Sequence, residues 1–204
     1  QNRCCFVINV TKKIMSTRYK ATEITQAYFI TITTVGWVDV FTRLNQKFVI
    51  INALKYCQEH KDLTIFAYCL MHSHLHLFCR AGGNFTLAEI MRDFKKFTSR
   101  KVIETICSEP ESRREWLLDY FKKSCEHLSR PQQYKVWQDG YHAEEVFSND
   151  WIKEKIKYIH QNPVKEMIVT EPENYYFSSA RNYADLDSAL KVEVVFMGWD
   201  NHRI

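Results

Sequence analysis

A chain of 204 residues that is 46% hydrophobic and 25% charged has the composition of a globular protein and the length of one domain with a sizeable core. Only 5 glycines and 4 prolines exclude collagenous, linker-rich and disordered classes, and no apolar run approaches the roughly 20 residues of a membrane span. The net charge of +4, with eight histidines uncounted, permits a nucleic-acid partner without demanding one. Seven cysteines, with no CxxC spacing and no secretory signal before them, read as reduced thiols of an intracellular protein.

In chain order, residues 1–14 read as an extension ahead of Met15, with a short ordered strand as the rival reading. "AYFITITTV" (27–35) is β-branched and aromatic and reads as a strand. In 46–60, Phe48, Ile51, Leu54 and Cys57 recur at helical spacing. "LTIFAYCLM" (63–71) and "HLHLFCR" (74–80) read as strands close enough to form a hairpin. Residues 86–106 open on a capping box, Thr86 with Glu89, and carry the stripe Leu87, Ile90, Met91 and Phe94. Trp116, Leu117 and Tyr120 suggest a short helix within the polar stretch 108–133. Residues 134–147 read as strand-like, broken near Asp139-Gly140. Residues 148–162 read as a helix capped by Ser148 or Asn149, with Trp151, Ile152, Ile156 and Ile159 facing the core. Pro163 disfavours helix at Asn162 and should end it there. The expected architecture is α+β, an antiparallel sheet with helices packed on one face. It forms one domain over 15–185, followed by a tail over 186–204.

"CLMHSHLHLFCR" (69–80) places His72, His74 and His76 at the edge of an apolar segment. Side chains at i and i+2 of a strand share a face, roughly 7 Å apart at a rise of about 3.3 Å per residue. Two of the imidazoles can therefore meet one ion. All three cannot, because His72 and His76 are about 13 Å apart along a flat strand. Spacing alone leaves the pair as 74/76 or 72/74. Cys69 and Cys79 fall at odd positions, out of phase with the histidines, which disfavours a zinc finger. In "KYIHQNPV" (157–164), Tyr158 and Asn162 share a helix face and Tyr158 lies off the apolar stripe. A tyrosine so placed is often a mere boundary residue, but Asn162 can add an amide oxygen to the same ion.

"LMHSHLHLF" resembles the "MPNHVHLL" signature of HUH-type single-tyrosine transposases. "YIHQNPVKEMIVTEPENYYFSSA" resembles the tyrosine block and tail of the REP-associated branch, and "IMRDFKKFTS" and "WQDGYH" fit it in order and spacing. The resemblance covers most of 20–183. It implies a ferredoxin-like sheet, the HUH endonuclease fold, and a divalent metal, Mg²⁺ or Mn²⁺. It also implies cleavage of single-stranded DNA through a 5′-phosphotyrosine. On this basis the metal ligands are His74, His76 and Asn162, and the nucleophile is Tyr158. His72 and Ser73 stand where the family has proline and asparagine.

Those residue types suit phosphoryl transfer: a cation offsets charge at the phosphorus, and a phenol with a pKa of about 10 needs activation. Lys95, Lys96 and Arg100 fit a DNA backbone track, or else a solvated face, and Lys155 and Lys157 lie beside the tyrosine. His142 is a further candidate for contact with DNA, and Trp137 and Tyr141 can stack on bases or simply pack. The expected partner is single-stranded or hairpin DNA in the bacterial cytoplasm, on the nucleoid when bound. The expected state is a monomer with Tyr158 acting in cis, a homodimer being the alternative. Rival readings are a catalytically silent DNA-binding regulator, a hydrolase using water, and an HUH nickase.

Overall fold

The computed structural model describes residues 26–126, 132–145 and 148–195. The expected extension over 1–14, Met15, Cys4, Cys5 and the end of the tail from 196 lie outside the described residues. The β-branched run forms β1, Ala27–Thr33. There follow α1 (Leu44–His60), β2 (Leu63–Leu70), β3 (His74–Ala81), α2 (Leu87–Ser108), α3 (Arg114–Lys123), β4 (His142–Glu145) and α4 (Asn149–Lys165). The strands lie in the order β2-β3-β1-β4, antiparallel throughout. This is the α+β sheet expected from the sequence.

Register sorts the side chains onto two faces, because directly opposed residues point the same way. Ile30 opposes Leu77 and Ile32 opposes Leu75, and all four are buried. Helices α1 and α2 pack on each other and on the sheet at this face, burying Ile50, Ile51, Leu54 and Cys57 from one and Leu87, Ile90, Met91 and Phe94 from the other. Each fully buried aliphatic chain contributes about 1.5–3 kcal/mol. The expectation of helices on one face describes α1 and α2. The other face carries Phe29, Thr31, Thr33, His74 and His76, and α4 lies over it through Tyr158, which meets Phe29 and His76.

Local signals behave largely as read. Thr86 and Glu89 form the capping box, and the Ser148 hydroxyl caps α4 by accepting from the Trp151 amide. The short helix forms as α3, with Leu117 and Phe121 buried and Trp116 exposed. Two expectations need correction. Phe48 is 38% exposed, because it stands on the flank of the buried stripe of α1, where its ring meets Phe177. Helix α4 also passes Asn162 and runs to Lys165. Proline lacks only the amide that would bond the Ile159 carbonyl, and its buried ring extends the apolar stripe. The helix closes with Glu166 N–H donating to Asn162 O.

The edge of β2 is covered by the tail block. Phe177 O accepts from Leu70 N–H, Ser179 N–H donates to Tyr68 O, and the Tyr175 hydroxyl donates to Leu70 O. An exposed edge would otherwise be a template for association. No helix among the described residues is long and apolar enough to cross a membrane.

Candidate active site

His74 and His76 alternate along β3, so they share a face, with ring centroids 4.8 Å apart. Both are buried. Each ring is held at Nδ1 by a hydroxyl: Thr31 Oγ1 at 2.9 Å from His76 and Ser73 Oγ at 3.2 Å from His74. That leaves Nε2 of each ring for another partner, and the buried Nε2 of His76 has no hydrogen bond. Burial, reinforced by the neighbouring imidazole, lowers the pKa of His76 to about 3; burial and His72 lower that of His74 to about 4. Both rings are therefore neutral at pH 7 and offer lone pairs. His72 lies in the turn before β3 and does not line the cleft.

Tyr158 comes to the same face from α4. Ile152, Ile156 and Ile159 bury the stripe of that helix, and Tyr158 stays 39% exposed beside it. Its ring meets His76 edge-on at 5.3 Å and Phe29 at 5.9 Å. One turn on, Asn162 is buried and donates through Nδ2 to Tyr158 O at 2.7 Å. Its Oδ1 is left to accept, and Asn162 is the neighbour that favours the charged form of His76, as an amide oxygen beside the ring does. Among the described residues no three His, Cys, Asp or Glu side chains stand together to hold a metal. Two imidazoles and one amide oxygen are a donor set that suits a divalent ion keeping several waters.

These groups line an open cleft of about 700 Å³ between the sheet face and the loop around Gly140. His142 on β4 opposes Thr31, which opposes His76 on β3, so the three form one row across the sheet. His142 and Lys155 both bond Glu144, at 3.1 and 2.7 Å. Burial resists ionisation of Glu144, but the bonds from the Lys155 ammonium and the His142 ring outweigh it and hold the carboxyl below its ordinary range. Lys155 also lies over the rings of Phe29 and Trp151. Lys157 is exposed on the helix surface.

The proposed backbone track divides. Lys95 donates to Gln138 O at 2.5 Å and Gly140 O at 2.6 Å, and burial lowers its pKa to about 8. Its ammonium is a strut for the cleft loop rather than a surface cation. Lys96 is exposed, and Arg100 reaches Glu104 at 3.5 Å and covers the Phe97 ring. Trp137 packs: it is 3% exposed between Phe41 and Phe94, and its indole N–H donates to Thr98. Tyr141 lines the cleft. Cys69, expected out of phase with the histidines, instead lies on β2 in register with His76 and so shares its face. Burial nonetheless keeps that thiol protonated.

Several residues beside the site escaped the sequence reading, among them Thr31, Lys165 and Trp37. Lys165 holds its ammonium 4.9 Å from the Tyr158 ring, a relation legible as two turns of one helix face. Trp37 meets His74 edge-on at 5.4 Å, and only the glycine before it hints at the turn that places it there.

The family model for IS200-like transposases matches residues 25–134, more than half of the chain. That segment holds His74 and His76 but not Tyr158. Among solved structures, a REP-associated tyrosine transposase bound to a REP hairpin superposes with a TM-score of 0.54 at 16% identity, covering 93% of this chain and 99% of that one, which establishes a shared fold. A protein of Deinococcus radiodurans described as a transposase matches at 15% identity over 73% of this chain and 95% of its own, with a TM-score of 0.41, too low to add weight. No curated protein sequence matches. On the match of more than half its length, the chain belongs to the IS200-like transposase family.

Proposed function

We propose that this transposase cleaves and rejoins single-stranded DNA through a 5′-phosphotyrosine on Tyr158, with His74, His76 and Asn162 as the ligands of Mg²⁺ or Mn²⁺. The observation that carries the reading is the approach of the exposed Tyr158 ring to the ring of His76, whose buried Nε2 has no hydrogen bond. When bound, the divalent ion would offset the negative charge that develops on the phosphoryl oxygens. The protein's own groups supply the rest. Thr31 and Ser73 fix the two imidazoles through Nδ1, an arrangement that orients ligands. Lys165, its ammonium over the phenol ring, offers a charge to a phosphate. Attack by the Tyr158 oxygen breaks the bond to the 3′-oxygen, which leaves as a hydroxyl. A second 3′-hydroxyl reverses the step on another strand without added energy.

Tyr158 acts in cis and the protein works as a monomer on this reading. The support is that α4 buries Ile152, Ile156 and Ile159 on its own domain and that His160 bonds Ser179 of the tail block at 2.8 Å. The partner is single-stranded or hairpin DNA in the bacterial nucleoid. Exposed Lys96 and Lys157 supply phosphate contacts, and His142 lies at the cleft wall for a further one. The test is incubation of the protein with end-labelled hairpin DNA and Mn²⁺, followed by denaturing electrophoresis. A metal-dependent covalent adduct supports strand transfer. Binding with no adduct identifies a silent regulator, and cleavage with no adduct identifies a hydrolase.

A further inference from the structure

Trp37 stands on the rim of the cleft with 60% of its surface exposed, one ring away from His74. Its backbone is left-handed, φ 57°, directly after Gly36 at φ 58°. A left-handed backbone is unusual for a bulky residue. An exposed indole gains little from burial in return. The turn around it is nevertheless held firmly. Thr34 Oγ1 donates to Val38 O and Ser73 O, Val35 N–H donates to Val136 O, and Trp37 N–H donates to Thr34 O. A side chain at position 36 would collide with the Tyr120 hydroxyl, so glycine there lets the turn pack on α3. The indole meets the His74 ring edge-to-face at the lining of the cleft, and most of its surface stays exposed there.

We propose that Trp37 is a stacking platform for an unpaired nucleobase next to the phosphate held at His74 and His76. Trp37 is a positioning residue that acts by gripping the base, and it selects single strands because a base inside a duplex has no free face to offer. The inference rests on the single-strand chemistry proposed for the cleft. An indole suits the task because every base has a π-face, so the grip tolerates sequence.

The test uses the full chain and three fluorescein-labelled probes: (dA)12, a 12-mer of abasic sugar-phosphate, and a (dA)12·(dT)12 duplex. Stacking predicts that Trp37→Leu weakens binding of (dA)12 by about 10-fold. Trp37→Phe restores most of that loss, and neither variant changes the abasic strand or the duplex. Trp37→Gly should melt at the same temperature as the parent or higher, since glycine adopts this backbone without strain. A role confined to packing gives the opposite, a lower melting temperature with unchanged preference among the probes. Equal losses on all three probes, or no loss on (dA)12, overturn the proposal. A normal Tyr158 adduct in Trp37→Leu together with unchanged (dA)12 binding removes this inference and leaves strand transfer standing. A base-dependent loss in a protein that forms no adduct keeps the platform and removes strand transfer.

Discussion

The ring of Tyr158 meets that of His76 edge-on, centroids 5.3 Å apart and planes at 72°. One residue belongs to the last long helix and the other to a strand more than eighty positions earlier. Their meeting depends on the apolar stripe of α4, which seats the helix on the sheet face that carries the histidines.

The Thr31 hydroxyl is expected to matter as much as a ligand. It holds Nδ1 of His76 at 2.9 Å and so directs Nε2 away from the strand. Thr31→Val keeps the shape and removes the bond, and it should lower Mn²⁺ affinity by about 10- to 100-fold. The measurement is calorimetric titration of Mn²⁺ into the parent, Thr31→Val, and His74→Ala as the ligand-deleted control. Equal affinity in the parent and Thr31→Val would show that the ring needs no such support, and equal affinity in His74→Ala would remove the metal site.

Lys95 and Lys96 are neighbours with opposite assignments. Lys95→Ala leaves the carbonyls of Gln138 and Gly140 without their donor and should destabilise the fold by about 1–2 kcal/mol. Lys96→Ala should leave stability unchanged and reduce the dependence of log affinity on log salt by about one phosphate contact. Urea melts and salt-titrated binding of a hairpin oligonucleotide check both. The reverse pattern would restore Lys95 to the DNA track.

Acid should destabilise the metal-free protein through its buried histidines. Burial lowers the pKa of His160 and His76 to about 3, and that of His74 to about 4, from an ordinary 6.5. Between those limits the unfolded chain binds protons that the fold rejects, so stability is full above about pH 6.5 and falls as pH drops toward 3. Thermal melts in EDTA from pH 7.5 to 4.5 should show the decline, and His160→Gln should flatten it. A melting temperature independent of pH over that range would contradict the burial of neutral rings.

Much of this was legible in the residues. Alternation in "HLHLF" placed His74 and His76 on one face because a strand has period two, and the Thr86–Glu89 box marked the start of α2. What escaped depends on relations between elements. Cys69 joins the face of His76 through hairpin register, which parity along the sequence does not reveal. The amine of Lys95 turns inward to a loop some 43 positions away, where a helical wheel shows only a cation. Pro163 disfavours helix locally, yet its ring extends a buried stripe, and packing overrides the local rule. The exposure of Trp37 follows from the backbone angles of a two-residue turn, which leave no periodic trace.

The most direct measurement is adduct formation by Tyr158→Phe. The substitution keeps the ring contacts with Phe29 and His76 and removes only the attacking oxygen, so melting temperature and hairpin binding should match the parent. With Mn²⁺ and end-labelled single-stranded hairpin DNA, the parent should form a covalent adduct that maps to Tyr158, and the variant should form none. An adduct at the parental rate in Tyr158→Phe, or one mapping to Tyr175 or Tyr176, would contradict the account.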